Sequence, residues 1–494
     1  MPPHTIRQSC IHLVLFLPAI LCGPAVAQTA ETPRLDAQAL IRQHGFRAAD
    51  VGFLLFDPAD GRIVAEHRAD TPFIPASVAK VPSAVGALAL LGPGWRFTTR
   101  LLATGPVQGG VLAGDLVLKG GGDPTLDTGG LTDLARALAA QGIRGITGRF
   151  LYDASDLPVL PEIEPEQPYG AGYNTGVSAL TVNFNRAQVT WTRRNGVVAA
   201  QTWTVSDKGR LPIDGVTLHA VPRPGTLAPA AVPAGGVESW QVGFPATGDK
   251  GAFWMPVRRA DAVTAGLFHR IAGMNGITLP PPRPGTAPAA ARPLAQRDSP
   301  PLATVAAGVL RYSNNLSAEL IGLAAARRLG PSPATTLPQA AGTLAGWLKA
   351  QAPGTDWSGF TLANFSGLTV RSRVTPRQMA AILRIGGEPF YPLLPGEDEG
   401  KPTPGARAKS GTMAYVKGLA GVLSTAGGQR LGFVLFIADE GQRQAMDRTA
   451  GRDVPAMPPE ARAWLDRARM LQAALLAHWV DGPEAPLEET RKIP

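Results

Sequence analysis

Cysteine is nearly absent from this sequence of 494 residues, since only Cys10 and Cys22 occur, both near the N-terminus. The rest of the chain can therefore contain neither a disulfide nor a thiol nucleophile. Long apolar runs are also missing there, because none approaches the roughly 18 residues that span a bilayer. With 45% apolar and 17% charged residues, the composition is typical of a globular protein of about two to four domains. Core packing alone must stabilise it.

Other common site patterns are missing as well. The sequence has no H-E-x-x-H, no C-x-x-C, no Walker loop and no G-x-S-x-G elbow, so nothing in it indicates a metal or another cofactor. The formal net charge is +9, but no run of five basic residues occurs, and nucleic acid is not an expected partner. We expect the basic surface to allow loose association with anionic membrane or cell-wall polymers.

The first 27 residues have the pattern of a secretory signal peptide. Arg7 precedes an apolar stretch over 11–22, and a small-x-small sequence ends at Ala27. The apolar part, about 12 residues, is too short for a membrane anchor. A lipoprotein signal using Cys22 is less favoured, because the bulky Leu21 precedes that cysteine. The pattern predicts an exported protein of the periplasm or cell envelope.

A predicted hairpin and helix occur near each end of the remaining chain. The first hairpin precedes a helix over 77–91, and the second precedes an amphipathic helix over 459–480. The two halves are predicted to share one antiparallel sheet. The last helix is predicted to pack on that sheet, which we favour over a position on a membrane surface.

The middle of the chain has a different character, which predicts a large insertion and an α+β fold. Short strands with Gly-rich turns dominate it, residues 184–257 are almost wholly β, and the Pro/Ala-rich segment 279–293 is predicted to be a linker. The predicted divisions are a signal peptide (1–27), a split main domain (28–95 and 301–482), an inserted α+β domain (96–183 and 258–300), a nested β-rich domain (184–257) and a tail (483–494).

Three short strings carry the chemistry. Ser77-x-x-Lys80 opens a predicted helix, Ser313-x-Asn315 separates two predicted helices, and Lys409-Ser410-Gly411 begins a predicted strand. A serine at a helix start is often only a capping residue. The three strings together, in this order, resemble the serine acyl-transfer arrangement of penicillin-binding proteins and serine β-lactamases.

The spacing of Ser77 and Lys80 suits a nucleophile and its base. Residues three apart share a helix face, so the Lys80 amine can reach the Ser77 hydroxyl, which is a weak nucleophile until it loses its proton. A free lysine has a pKa of about 10.4, so only about one in 2,500 is neutral at pH 7. Lowering the pKa to about 7 requires about 4.6 kcal/mol, which burial and a second cation can supply. Lys409 is the candidate second cation.

The remaining candidates complete an acyl-transfer site. Ser313 would relay a proton between Lys80 and the leaving amine, and Asn315 would hold the substrate backbone. The backbone N–H groups of Ser77 and Thr412 could form an oxyanion hole, in which each donor is worth about 3–4 kcal/mol.

The strand after Lys409 would bind a carboxylate. The hydroxyls of Ser410 and Thr412, beside the Lys409 amine, suit the free C-terminus of a peptide. The predicted substrate-binding residues are Ser410, Gly411 and Thr412.

Five strings, "PASVAKV", "LVLKGGGDPTL", "SALTVNFN", "YSNNLSAE" and "AKSGTM", resemble those of the low-molecular-mass class C penicillin-binding proteins. These are the D-alanyl-D-alanine carboxypeptidase/endopeptidases of the bacterial cell envelope, and the resemblance covers residues 35–480. It implies a β-lactamase/transpeptidase-like domain interrupted by an insertion between the first two motifs. It also implies that Ser77 is the acylated nucleophile and Lys80 its base.

Two departures from the family pattern stand out. Residues 364–368 read Asn-Phe-Ser-Gly-Leu where the family commonly has Asp-Gly-Ser-Gly-Leu, and Ser410 replaces the usual threonine. The second change keeps the hydroxyl, whereas the first removes a carboxylate.

The expected function is that of a serine DD-peptidase acting on peptidoglycan stem peptides, with β-lactams as covalent inhibitors. The alternatives are a β-lactamase or esterase on the same core, and a non-catalytic wall-binding protein. The sequence leaves carboxypeptidase and endopeptidase activity equally open.

Overall fold

The structure, a computed structural model, describes residues 36–206, 209–330, 335–396, 405–449, 451–452, 457–482 and 492–493. The predicted signal peptide and most of the predicted tail lie outside these residues. No helix in the described part of the chain is long and apolar enough to cross a membrane.

The helices of the described residues are α1 (Ala37–Gln43), α2 (Lys80–Leu91), α3 (Thr128–Ala140), α4 (Ala260–Met274), α5 (Leu302–Tyr312), α6 (Asn315–Leu329), α7 (Leu337–Gln351), α8 (Pro376–Phe390), α9 (Glu440–Thr449) and α10 (Pro459–Asp481). Short 3-10 helices span Ala48–Asp50, Ala76–Ala79, Asn183–Asn185 and Tyr391–Leu393.

The strands are β1 (Val51–Phe56), β2 (Ile63–His67), β3 (Thr98–Ala103), β4 (Val107–Gln108), β5 (Val111–Leu112), β6 (Leu116–Lys119), β7 (Gly145–Ile146), β8 (Phe150–Asp153), β9 (Arg186–Arg194), β10 (Val197–Ser206), β11 (Gly209–Pro212), β12 (Val216–Ala220), β13 (Leu227–Pro229), β14 (Glu238–Val242), β15 (Lys250–Pro256), β16 (Arg283–Pro284), β17 (Arg292–Asp298), β18 (Ala406–Met413), β19 (Val416–Ser424) and β20 (Arg430–Ala438).

The main sheet is built from both ends of the chain. Its order is β18-β19-β20-β1-β2, and all neighbouring strands are antiparallel. The N-terminal and C-terminal halves meet where β1 pairs with β20, from Val51 opposite Ile437 to Phe56 opposite Gly432. The prediction of a shared antiparallel sheet is confirmed.

Helices cover both faces of this sheet, which is why β1 is a continuous apolar run rather than an alternating one. Phe53 and Leu55 face the layer of α1 and α10, while Leu54 and Phe56 face the layer of α2 and α5–α8. On the first face, the ring of Trp479 in α10 lies 5.3 Å from that of Phe53. The prediction that the last helix packs on the sheet is confirmed.

The residues that follow α2 and precede α5 form further sheets. A five-stranded sheet has the order β16-β8-β6-β3-β17 and packs with α3 and α4. A four-stranded sheet (β11-β10-β9-β15) and a three-stranded sheet (β12-β14-β13) follow within residues 186–256. The predicted domain boundaries stay a prediction.

The linker predicted over 279–293 is wrong in part. Arg283–Pro284 pairs with β8 as one edge of the five-stranded sheet, and the strand that begins at Arg292 pairs with β3 as the other edge. Prolines are tolerated at these places because an edge strand leaves part of its N–H groups unpaired. A Pro-rich composition therefore indicated a linker where the chain runs along the sheet edges.

Candidate active site

Ser77 lies in a single tight 3-10 turn, not in an α-helix. The turn is the 3-10 helix Ala76–Ala79, and α2 begins only at Lys80. Neither helix start is capped by a side chain, so the capping explanation for Ser77 is wrong. Ala76 has a φ of +46°, a conformation that costs a non-glycine residue about 1–3 kcal/mol and that often marks functional sites.

Two glycines let neighbouring segments close on this turn. A Cβ at Gly367 would lie 1.8 Å from the carbonyl oxygen of Ala76, and a Cβ at Gly411 would lie 2.5 Å from that of Pro75. Neither position could hold a side chain without moving the backbone. The Ser77 turn is thus clamped between the loop at Gly367 and strand β18.

Lys80 is completely buried and reaches three oxygen atoms. Its Nζ lies 2.9 Å from Ser77 Oγ, 2.8 Å from Asn315 Oδ1 and 2.8 Å from the carbonyl oxygen of Ser366. The Asn315 amide donates through Nδ2 to the carbonyl of Tyr173 at 3.1 Å. That bond fixes the orientation of the amide, so that its oxygen is the atom that faces Lys80.

These contacts define where a neutral Lys80 would place its lone pair. A neutral amine has two hydrogens, and the oxygens of the Asn315 amide and the Ser366 carbonyl can only accept them. Ser77 Oγ is the partner of the three that can donate a hydrogen. The lone pair is therefore directed at the Ser77 hydroxyl, which is the geometry of a general base.

Ser313 and Asn315 are held by the break between two helices. Ser313 ends α5 with a φ of +57°, and Asn314 caps α6 by accepting from the Ser317 N–H at 2.9 Å. The break turns Ser313 and Asn315 toward one cavity that Ser77 also lines. The structure thus brings the first two strings together, although they are 236 residues apart.

Strand β18 brings the third string to the same turn. Side chains alternate along a strand, so Lys409 lies on the same face of β18 as Gly411, which packs against the turn of Ser77. Lys409 is fully buried, and its Nζ donates to the carbonyl of Ser410 at 2.7 Å. The role of Lys409 as a second cation stays a prediction. Thr412 is exposed and lines the cavity, and Ser410 shares its strand face.

Lys417 is a site residue that sequence reasoning missed. It is 8% exposed, and its Nζ donates to Thr412 Oγ1 at 2.8 Å. The signal that could have found it is the short hairpin between β18 and β19, which pairs Thr412 with Lys417. A second ammonium beside Thr412 adds positive charge where a carboxylate is predicted to bind.

Glu319 was missed as well. This fully buried carboxylate on α6 accepts from the N–H groups of Phe365 and Ser366 at 3.0 and 2.9 Å, and the carbonyl of Ser366 accepts from Lys80. Burial raises the pKa of Glu319 to about 7, while the hydrogen bonds from Ser366 and Phe365 and the charge of Lys80 act to lower it. The available signal was an acidic residue inside an apolar helical run, four residues after Asn315.

The departure at 364–365 has a packing explanation. Phe365 is fully buried, and its ring lies against Gly322, where a Cβ would be 2.2 Å from the ring. The Asn364 side chain accepts from the Gly367 N–H at 2.9 Å, while its buried Nδ2 has no hydrogen-bond partner among the described residues. The phenylalanine thus fills space beside α6, and the asparagine holds the turn that carries Gly367.

The cavity above Ser77, called here the Ser77 cavity, has a volume of about 550 Å³. Of the predicted site residues, Ser77, Ser313, Asn315 and Thr412 line it. Its walls also include apolar and charged side chains, among them Leu368, Met413, Met446, Met457, Glu166 and Arg443. It is large enough for a short peptide end, and the buried Lys80 is not among the residues that line it.

Comparisons with known proteins show the family of the chain. A family model described as the D-Ala-D-Ala carboxypeptidase 3 (S13) family matches residues 35–389, and the chain belongs to that family. The D-alanyl-D-alanine carboxypeptidase DacB of Haemophilus influenzae is 26% identical over 434 residues, covering 79% of this chain and 85% of the relative. The D-alanyl-D-alanine carboxypeptidase of an Actinomadura species is 27% identical over 465 residues, covering 84% of each.

Solved structures give the same fold. Penicillin binding protein 4 from Haemophilus influenzae matches with a TM-score of 0.72 and 22% identity, covering 90% of this chain and 100% of that one. The same protein in complex with a β-lactam matches with a TM-score of 0.69 and 21% identity, covering 89% of this chain and 99% of that one. The predicted fold class and family are confirmed, and the chain is a serine peptidase of the D-Ala-D-Ala carboxypeptidase class.

Proposed function

We propose that this protein is an exported serine DD-peptidase that hydrolyses peptidoglycan stem peptides through an ester on Ser77. The bond that it cleaves would be the terminal D-Ala-D-Ala bond, the D-Ala-diaminopimelate crosslink, or both. The observation that carries the proposal is the 2.9 Å contact of Lys80 Nζ with Ser77 Oγ below a cavity that Asn315 and Thr412 also line. Membership of the S13 family supports the same reaction.

Acylation starts when the neutral Lys80 amine takes the proton of Ser77 as Oγ bonds to the carbonyl carbon of the penultimate D-alanine. The N–H groups of Ser77 and Thr412 donate to the oxygen that gains negative charge. The C–N bond then breaks, and the proton passes from Lys80 through the Ser313 hydroxyl to the leaving amine. An ester on Ser77 remains.

Deacylation repeats these steps with water. Lys80 takes a proton from a water molecule as the water oxygen attacks the ester carbonyl. The proton then passes to Ser77 Oγ when the bond between Oγ and the acyl carbon breaks. The terminal carboxylate of the substrate is held by the hydroxyls of Ser410 and Thr412. The ammonium groups of Lys409 and Lys417 add the positive charge that attracts this carboxylate. A β-lactam offers the same amide and carboxylate, but its leaving amine stays attached to the ring-opened adduct.

Product analysis tests the proposal. The purified protein is incubated with a soluble peptide ending in D-Ala-D-Ala and with a crosslinked muropeptide, and the products are identified by mass spectrometry. We expect release of D-alanine, cleavage of the crosslink, or both, and we expect prior treatment with penicillin to block either reaction. Rapid hydrolysis of penicillin without D-alanine release would instead indicate a β-lactamase. Binding to sacculi without hydrolysis would indicate a wall-binding protein.

The buried Glu319 leads to a pH prediction. An ionised carboxylate near Lys80 favours the protonated amine, which cannot act as a base. Because the pKa of Glu319 is about 7, its negative charge is present mainly above pH 7, and Glu319→Gln removes it there. The upper part of the acid limb of the rate of penicillin labelling, above about pH 7, should therefore shift to lower pH, while the limb below pH 7 keeps its position. The measurement is the labelling rate between about pH 5 and pH 9.

A stability measurement checks the same residue independently. The pKa of Glu319 rises from 4.5 to about 7 on folding, so the folded state binds more protons than the unfolded state between these values. The free energy of unfolding should therefore fall by about 3 kcal/mol as pH rises through this window, and Glu319→Gln should remove that fall.

Glu238→Gln is the matched control for the labelling experiment, because Glu238 is also buried and its pKa is also raised by burial. An unchanged acid limb in Glu319→Gln, or an equal shift in Glu238→Gln, would contradict the prediction.

A further inference from the structure

The most exposed aromatic rings of the described residues lie together. Tyr173, Phe184, Trp254 and Tyr312 are 53%, 46%, 40% and 73% exposed, and every other Phe, Trp or Tyr in the described part of the chain is less exposed. All four line one groove of about 310 Å³, called here the aromatic groove. Scattered exposed apolar residues are ordinary on protein surfaces, whereas a contiguous cluster of them indicates a binding site.

The backbone is strained where it presents Phe184. Asn183, Phe184 and Asn185 have φ values of +49°, +56° and +52°, each of which costs a non-glycine residue about 1–3 kcal/mol. Hydrogen bonds maintain the turn, because Asn185 Nδ2 donates to the Gly176 carbonyl at 2.8 Å and Asn183 Nδ2 donates to Thr128 Oγ1 at 2.7 Å. Hydrogen bonds of one buried and one partly buried asparagine thus support a turn whose central ring faces water, which a purely structural turn would not require.

Arginines fix two of the other rings. The guanidinium of Arg186, which also lines the groove, lies 4.9 Å from the centroid of Trp254. The guanidinium of Arg311 lies 5.3 Å from the centroid of Tyr312. Such cation–π contacts favour one ring orientation by about 0.5–1 kcal/mol at exposed sites. This preference reduces the entropy that the rings lose when a ligand binds.

The aromatic groove continues from the Ser77 cavity. Tyr173, Ser313 and Asn315 line both, so a substrate held by Asn315 passes from one into the other. A stem peptide is joined through its N-terminus to an amino sugar of the glycan strand. Four extended residues span at most about 14 Å, so the sugar follows closely after the peptide that the Ser77 cavity holds.

We propose that the aromatic groove binds the sugar rings of the glycan strand that carries the stem peptide. One face of a pyranose ring consists of C–H bonds, which pack on flat aromatic rings while the hydroxyl and acetamido groups stay in water at the edge. The proposal rests on the proposed function, because it names the part of the same substrate that lies beyond the peptide. It assigns Phe184, Trp254 and Tyr312 to substrate recognition.

A comparison of two substrates tests this proposal. One is a sugar-free pentapeptide ending in D-Ala-D-Ala, and the other is the same peptide joined to its disaccharide. The release of D-alanine is measured for the full-length protein, Phe184→Ala, Trp254→Ala and the control Val197→Ala, whose side chain is 70% exposed on β10. We expect the ratio of kcat/KM for the disaccharide peptide to that for the sugar-free peptide to fall about tenfold in both groove variants, chiefly through KM. The control should keep the ratio of the unaltered protein.

Equal losses on both substrates would overturn the proposal, because the groove would then bind peptide or support the fold. An unchanged ratio in both groove variants would overturn it too. A separate measurement covers the case in which the unaltered protein releases D-alanine from neither substrate, as it would if it cleaved only crosslinks or if the proposed function were wrong. A peptide-free tetrasaccharide of the glycan strand is titrated against the protein while tryptophan fluorescence is followed. Binding that is at least tenfold weaker in Phe184→Ala supports the groove, and no binding by the unaltered protein refutes it.

Discussion

Ser77→Ala is expected to abolish covalent labelling by penicillin and to lower kcat/KM for D-alanine release by at least about 10,000-fold. The reason is that Ser77 Oγ is the hydroxyl 2.9 Å from the Lys80 amine, while the cysteines of the chain are confined to its N-terminal region. Removing Oγ also leaves Lys80 with the Asn315 amide and the Ser366 carbonyl as partners, so the fold should persist. The measurement is intact-mass analysis after penicillin treatment, together with steady-state kinetics.

Ser358→Ala is the matched control for this experiment. Ser358 is an exposed serine that follows α7 and lies outside the residues that line the Ser77 cavity. It should keep both the adduct and the rate. An adduct of unchanged stoichiometry on Ser77→Ala would show that another nucleophile carries the reaction.

Lys80→Met is expected to slow penicillin labelling and D-alanine release by about 1,000-fold, which lies within the range measured for removal of a general base. Methionine approximates the length and bulk of the buried lysine but offers neither a lone pair nor a donor. The Ser77 hydroxyl then loses its base, while the Asn315 oxygen and the Ser366 carbonyl lose a hydrogen-bond donor. Each unsatisfied buried acceptor costs about 1–3 kcal/mol, so a lower midpoint of urea unfolding is expected as well.

Lys349→Met separates loss of the base from loss of stability. Lys349 lies on α7, half-buried, with its ammonium 5.8 Å from the ring centroid of Phe360. It should label at the rate of the unaltered protein even if its unfolding midpoint shifts. Labelling of folded Lys80→Met at that same rate would remove Lys80 from the proposed mechanism.

Patterns that are local along the chain could be predicted from the sequence. The apolar runs of β1 and β20 and the amphipathic helix α10 predicted a shared sheet with a helix packed on it, and the structure confirms both. The order of the strings at Ser77, Ser313 and Lys409 predicted the family. The Pro-rich segment misled, because composition does not distinguish a free linker from a chain that runs along a sheet edge.

Features that depend on distant neighbours could not be predicted. Glu319 is one of several acidic residues on predicted helices, and only the fold shows that it is fully buried beside the segment that receives the Lys80 hydrogen bond. Lys417 is likewise an ordinary strand residue until the hairpin register places it opposite Thr412. The aromatic groove combines rings from the turn at Phe184, from β15 and from the end of α5.

The sequence by itself determined which functional groups this protein has and in which order, and it indicated a family of serine peptidases to which the chain belongs. The tertiary structure decided how those groups can act. Whether Lys80 offers a lone pair to Ser77 depends on acceptors that lie 235 and 286 residues further along the chain. Hydrogen bonds and burial act through space, so the direction of that lone pair is a property of the folded protein.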